Sequence, residues 1–178
     1  MDTERRTRIE IDRRVTRLRE EYGEFPVQER SVENDPGFFE EGRERVHDGW
    51  IGDAATLVSD DGGRILLIRH EESPDEWGIP GGGHEPGETM EETARREVRE
   101  ETGIECAITD VHFARRKTVR LETNPDERFS LLTVVFDAKY ESGTISIGDD
   151  EVLEARWFEE RPEHLLDFVR EYVLEGDR

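Results

Sequence analysis

The sequence predicts an α/β (α+β) fold built on a mixed β-sheet. Two observations carry that reading. Apolar runs of strand length interleave with amphipathic stretches at helical spacing, separated by Gly-, Pro- and Asp-rich turns. Leu, Ile, Val and Phe total 42 of 178 residues, enough for a packed core.

The elements follow in order. Residues 3–22 read as a helix, with Ile11, Val15, Leu18 and Tyr22 on one apolar stripe and Gly23 as a C-terminal cap. The stripe is short, so packing against the rest of the chain is favoured over use as a homodimer seam. Residues 24–37 hold Pro26, Asn34, Pro36 and Gly37 and read as a connector, followed by a short helix near 38–47. Residues 1–48 thus form an N-terminal helical extension and connector, and 49–178 the main domain. "AATLVSD" and "RILLIRH" flank the "DGG" of 61–63 as a hairpin. Residues 71–88 read as a loop, and 89–102 as a helix. "CAITDVHFARRKTVRL" and "FSLLTVVFDAKY" predict two long strands with a turn around Asn124, Pro125 and Asp126. "EARWFEE" predicts a last strand. "PEHLLDFVREYVL" predicts a closing helix with Leu165, Leu166, Val169, Tyr172 and Val173 facing inward.

Charge limits the partners. A net charge of −21 repels nucleic acid and anionic membranes, so neither is expected to bind. A phosphate-bearing ligand needs a local cationic bridge, either an Arg cluster or a metal. Only Lys117 and Lys139 are lysine; the other 23 basic residues are arginine. An acidic, Lys-poor surface resembles proteins of extreme halophiles, where molar salt screens self-repulsion. Cys106 is the sole cysteine, which fits a reducing cytoplasm. The N-terminus is charged from Asp2 onward, so no signal peptide is visible, and no apolar run reaches membrane-spanning length.

The 89–102 helix is two-sided. At 100° per residue Glu97, Glu100 and Glu101 fall within an arc of about 100°, while Ala94 and Val98 face elsewhere and can pack on a sheet. Three carboxylates so placed repel one another, and a polyvalent cation reverses that cost. Ahead of the helix, Gly81, Gly82, Gly83 and Gly87 allow backbone to approach a metal or phosphate closely. Glu88 lies near the helix N-terminus, where negative charge is favoured, and Arg96 could reach back to pair with it.

The stretch "GGHEPGETMEETARREVREETGI", Gly82 to Ile104, resembles the Nudix box at every position: Gly82, Glu88, Arg96-Glu97-Val98, Glu100-Glu101 and Gly103-Ile104. "GRILLIRH", "WGIPGG" and "EARWF" also look like Nudix neighbours. The resemblance implies a Nudix-type α/β/α sandwich. It also implies a metal-dependent hydrolase that cleaves the pyrophosphate of a nucleoside diphosphate linked to another moiety, by water attack on phosphorus. It implies Mg²⁺ or Mn²⁺ on Glu97, Glu100, Glu101 and the Gly81 carbonyl, with Glu88 and Arg96 as a structural ion pair. The general base is Glu101, Glu100 or a carboxylate of a later loop. Glu151, six residues before Trp157 and after Asp149 and Asp150, holds that place, with Glu154 its rival.

Other candidates are less specific. Arg69 could contact phosphate. Arg115, Arg116 and Lys117 form a basic cluster on a predicted strand, so only one or two reach any one face, and Arg115 is taken as a substrate contact. His70 and His84 read as exposed polar side chains in preference to ligands. Phe25, Phe38, Phe39, Trp50 and Trp77 are expected to be buried more than to stack on a base. Residues 117–123, "KTVRLET", carry neither the Pro of some ADP-ribose-cleaving relatives nor the Tyr of some dinucleoside-polyphosphate relatives, so the leaving group stays open. The alternative reading is a non-catalytic nucleotide-binding sensor or regulatory domain.

Overall fold

A computed structural model describes residues 2–174, the side chain of Tyr172 excepted. The elements run α1 Thr3–Tyr22, β1 Val27–Asn34, α2 Pro36–His47, β2 Gly52–Ser59, β3 Ile65–His70, β4 Ser73–Gly78, β5 Gly81–Gly83, α3 Met90–Thr102, β6 Glu105–Leu121, β7 Asn124–Ser142 and β8 Val152–Phe158. A π-helical turn, Val169–Leu174, follows. The strands are hydrogen-bonded in the order β1-β6-β7-β2-β3-β4, with β5 on β2 and β8 on β3. The sheet is mixed: β1 runs parallel to β6, and β3 runs antiparallel to β2, β4 and β8. Packing divides the chain into two units, and α3, β2, β5, β6 and β7 contribute to both.

The first unit comprises residues up to Ala54, Gly83–Thr93 and Val111–Val135. Asp2 caps α1 by accepting from the Glu4 amide, and Gly23 ends it at φ +84°. Ile11, Val15 and Leu18 are all buried, so the stripe is consumed within the chain and is no free dimer seam. Polar ties add to that packing: Arg6 donates to the Val46 carbonyl, Arg14 to the Glu88 carbonyl, Arg116 pairs with Asp12, and Arg128 with Glu4. Asp35 caps α2 by accepting from the Gly37 and Phe38 amides, and Pro36 occupies the first turn, where its missing N–H costs nothing. Phe39 and Val46 of α2 pack on Val119, Phe129 and Leu131.

Two expectations fail near the start of this unit. The supposed connector 24–37 contains β1, paired with β6 in register from Val27 against Ala114 to Asn34 against Leu121. Its residues are mostly exposed, so no alternation of burial marks it as a strand. Phe38 is 68% exposed because the α2 face that packs inward is that of Phe39 and Val46.

The second unit comprises Ala55–Gly82, Ala94–Asp110 and Phe136 onward. The predicted hairpin is present: Asp60 Oδ1 accepts from the Gly62 and Arg64 amides, and Gly63 takes φ +81°. Val98 of α3 packs with Val58, Leu66, Ile104, Cys106 and Ala138. The stretch 71–88, read as a loop, holds β4 and β5. In the first unit, the turn between the long strands falls at Glu122 and Thr123, and Asn124 to Asp126 already belong to β7. The closing helix is shorter than predicted. Leu165 forms a parallel bridge to Trp77, whose amide donates to the His164 carbonyl and whose carbonyl accepts from the Leu166 amide. Those backbone groups are spent on the sheet, so helical structure starts only at Asp167. Leu165, Val169 and Val173 are buried as expected, Leu166 is half-buried, and the Tyr172 side chain lies outside the described residues.

Candidate metal centre

Glu97, Glu100 and Glu101 of α3 lie in the second unit, with Gly81 and Gly82 of β5 beside them. Glu101 is 1% exposed. Its Oε1 accepts from the Gly81 amide at 2.8 Å, while its Oε2 is buried without a hydrogen-bond partner. His70 Nε2 stands 3.9 Å from that second oxygen. Burial drives the Glu101 carboxyl up to about 8; the charges of Glu97, Asp149 and Glu100 add to the rise, and the Gly81 amide opposes it. Glu97 is also raised, first by burial and then by Glu100 and Asp149, against the opposing Arg96. Arg96 Nη1 bridges Glu97 at 2.7 Å and Glu100 at 3.2 Å. Glu100 keeps about half of its side chain, 51%, exposed.

Gly82 permits this crowding. A Cβ there would lie 2.4 Å from the Glu97 carboxyl carbon, so any side chain would displace that group. The end of α3 fixes a further acid. Gly103, at φ +75°, caps the helix, and the Glu100 and Thr102 carbonyls accept from the Gly148 and Ser146 amides. This binding of the loop places Asp149 where its charge acts on both Glu97 and Glu101.

These groups suit a hard divalent cation. Four carboxylates act on one another, the most deeply buried has an oxygen without a donor, and oxygen donors are what Mg²⁺ and Mn²⁺ prefer. Among the described residues, however, no three acidic, His or Cys side chains stand close enough to form a ready-made cage. Arg96 already spans two of the acids.

A model of the NUDIX domain matches residues 51–169. The chain belongs to the NUDIX family. It is accordingly a Nudix pyrophosphohydrolase by class. It is similar to the nucleoside triphosphatase NudI of an Enterobacter species, 46% identical over 68 residues, which span 36% of this chain and 48% of that one. To the NudI of Salmonella paratyphi B it is 33% identical over 101 residues, 53% of this chain and 72% of that one. The structure resembles the crystal structure of a MutT NUDIX hydrolase from Burkholderia pseudomallei, with a TM-score of 0.52 and 26% identity over 67% of this chain and 92% of that chain.

Within this NUDIX domain the other predicted residues take definite places. Arg69 of β3 is committed to Glu154 and to the Pro74 carbonyl, and it lies over the Trp77 ring. Glu154 also pairs with Arg156. Glu151 is exposed; its amide donates to Asp149 and its carbonyl accepts from the Glu71 amide. In the first unit, Glu88 accepts from the Glu85 amide and from Thr93 Oγ1. Arg115 holds Gln28 of β1 through two of its nitrogens.

Two residues escape sequence reasoning. Nothing in the spacing of Asp149, Asp150 and Glu151 singles out the first. His70 is read from the sequence as an exposed polar side chain, and its approach to Glu101 depends on the fold. His84, expected at the surface, is 4% exposed: a 2.9 Å bond between its Nε2 and the Glu88 carbonyl satisfies part of the ring. Phe25, Phe39 and Trp77 are buried and Trp50 is half-buried.

Proposed function

We propose that this NUDIX protein hydrolyses the pyrophosphate bond of a nucleoside diphosphate derivative with Mg²⁺ or Mn²⁺ as cofactor. Nucleoside triphosphates are the first substrates to test, because the similar NudI proteins bear that name. One observation carries the reading: a buried Glu101 oxygen without a donor, on a carboxyl raised by burial and by the charges of Glu97, Asp149 and Glu100. Glu97, Glu100, Glu101 and the Gly81 carbonyl would hold the ion, which when bound supplies charge neutralisation and water activation at phosphorus.

The chain's own groups do the rest. The Gly81 amide orients Glu101 through Oε1 and leaves Oε2 free for a ligand. Gly82 lets the backbone of β5 lie against Glu97. Glu100, half exposed, can accept a proton from water and pass it to solvent. Asp149 stands as a further base candidate on its electrostatic reach to Glu97 and Glu101, beside Glu101 itself and the exposed Glu151 of the same loop. Glu88 and Arg96 are proposed as the pair that steadies the loop before α3. Arg69 and Arg115 are proposed phosphate contacts, each after release of its present partner.

The test is release of phosphate, pyrophosphate and nucleoside monophosphate from a nucleotide panel in molar KCl, with and without Mg²⁺ or Mn²⁺. Glu97→Gln and Glu101→Gln should each lower kcat by about 100-fold or more. Unaltered turnover in both would refute the assignment, and nucleotide binding without turnover would favour a sensor.

A further inference from the structure

The β2–β3 turn, the end of β7 and β8 border an open cavity of about 470 Å³. All of its lining residues belong to the second unit, and none is an acid of α3. Trp157 of β8, paired in register with Leu66, and Tyr140 of β7 supply two walls. Their ring centres lie 5.8 Å apart at an interplanar angle of 84°, so the rings meet as a corner and do not stack. The loop after β7 supplies a third wall, where Ile145 is 38% exposed. Gly143 makes that course possible: it takes φ +96°, and a Cβ on it would meet the Gly103 carbonyl oxygen at 2.5 Å.

The chemistry of the cavity selects its occupant. An indole face attracts cations through its quadrupole, and this one already does so: Arg64 Cζ lies 5.8 Å from the Trp157 ring centre. Asp60 holds that guanidinium, with Oδ2 accepting from Arg64 Nε at 2.7 Å, while Oδ1 accepts from the Gly62 and Arg64 amides. Asp60 and Arg64 therefore balance. Asp61 beside them is exposed and has neither a hydrogen bond nor an ion pair among the described residues, which leaves the rim negative. Tyr140 Oη donates to the Gly143 carbonyl at 2.8 Å, so its proton is spent within the wall. Asp61 is then the one side-chain charge lining the cavity that is left to pair, and a cation with several N–H donors would leave most of them unmet. A cation covered by methyl groups brings no such donors. Its methyls suit Trp157, Tyr140 and Ile145, and its charge suits the ring faces and Asp61. We propose that Trp157, Tyr140, Ile145 and Asp61 form a binding site for a quaternary ammonium group.

NMR titration of choline into the full chain, followed at the Trp157 indole and at constant molar ionic strength, tests this. The neutral counterpart 3,3-dimethylbutanol, with carbon in place of the nitrogen, should bind about tenfold more weakly. Tyr140→Leu should weaken choline binding about fivefold and Asp61→Asn about threefold. Tyr140→Phe, which keeps the ring and loses only the bond to Gly143, should bind as the unsubstituted protein does. Residues that merely support the fold would not separate charged from neutral ligands of one shape. Circular dichroism checks each variant; if Tyr140→Leu does not fold, Asp61→Asn, at an exposed turn, decides together with the comparison of choline and alcohol. A peptide carrying trimethyllysine forms a second arm: binding tighter than that of choline identifies an ammonium borne on a protein, and weaker or equal binding identifies a small solute. Equal binding of choline and the alcohol, unchanged choline binding in Asp61→Asn, or the absence of saturable shifts would overturn the proposal. No metal or nucleotide enters the titration, so its outcome is independent of the hydrolase reading of the α3 acids.

Discussion

At Glu101 burial and function pull on the same carboxyl. Its value near 8 in the folded chain lies above the ordinary 4.5, so the folded state holds a proton that the unfolded state releases. The contribution to stability is therefore most favourable below pH 4.5 and is lost as pH rises toward about 8. A cation requires the ionised form. At about pH 7, Mg²⁺ binding should release close to one proton per ion, measured by calorimetry in buffers of different ionisation heat; release should fall well above pH 8. Proton release that does not change with pH, or that persists in Glu101→Gln, would contradict this. The helix spacing revealed Glu97, Glu100 and Glu101, because 3.6-residue periodicity is local. Asp149 and His70 join them only through the tethered loop and the strand pairing, which a linear pattern does not contain.

At the scale of elements, α1 is fastened to the start of α3. Glu91, almost buried, accepts from Arg17 at 2.5 Å and from Tyr22 Oη at 3.2 Å. Burial pushes its carboxyl up, but the bond and charge of Arg17 outweigh that and leave it below the usual value. The same carboxylate, after burial, helps raise the Tyr22 hydroxyl to about 12. Glu91→Gln should cost about 1–2 kcal/mol in denaturant unfolding, a range reduced because Arg17 is partly exposed. The loss should be full above the ordinary carboxylate range and should shrink as pH falls through the lowered pKa of Glu91. Equal stability of the two proteins at neutral pH would show the fastening to be idle. Elements with an apolar stripe or a turn signal, such as α1, α2, α3 and the β2–β3 hairpin, could be read directly. β1 and β4 could not: "VQERSVEN" and "SPDEWG" are polar, and each earns its place from a partner strand. For β1 that partner begins to pair at Ala114, far along the chain.

For the whole molecule, charge dominates. With 46 acids against 25 bases, repulsion between unpaired carboxylates opposes folding, and many of the ion pairs are exposed and worth little each. We propose adaptation to high salt. The melting temperature should climb from low to molar KCl by ten degrees or more, on the order expected when the Debye length shrinks to about 3 Å; a flat curve would oppose it. No helix among the described residues is long and apolar enough to cross a membrane.

The pairing of β1 along β6 also bears on how the protein can be handled. The family match starts at residue 51, which invites a cut there to isolate the enzyme. Such a cut would strip eight register positions from β6 and bare a line of amides and carbonyls from Ala114 to Leu121. An uncovered margin of that kind recruits strands from other copies, so the trimmed product should precipitate where the intact chain stays dispersed.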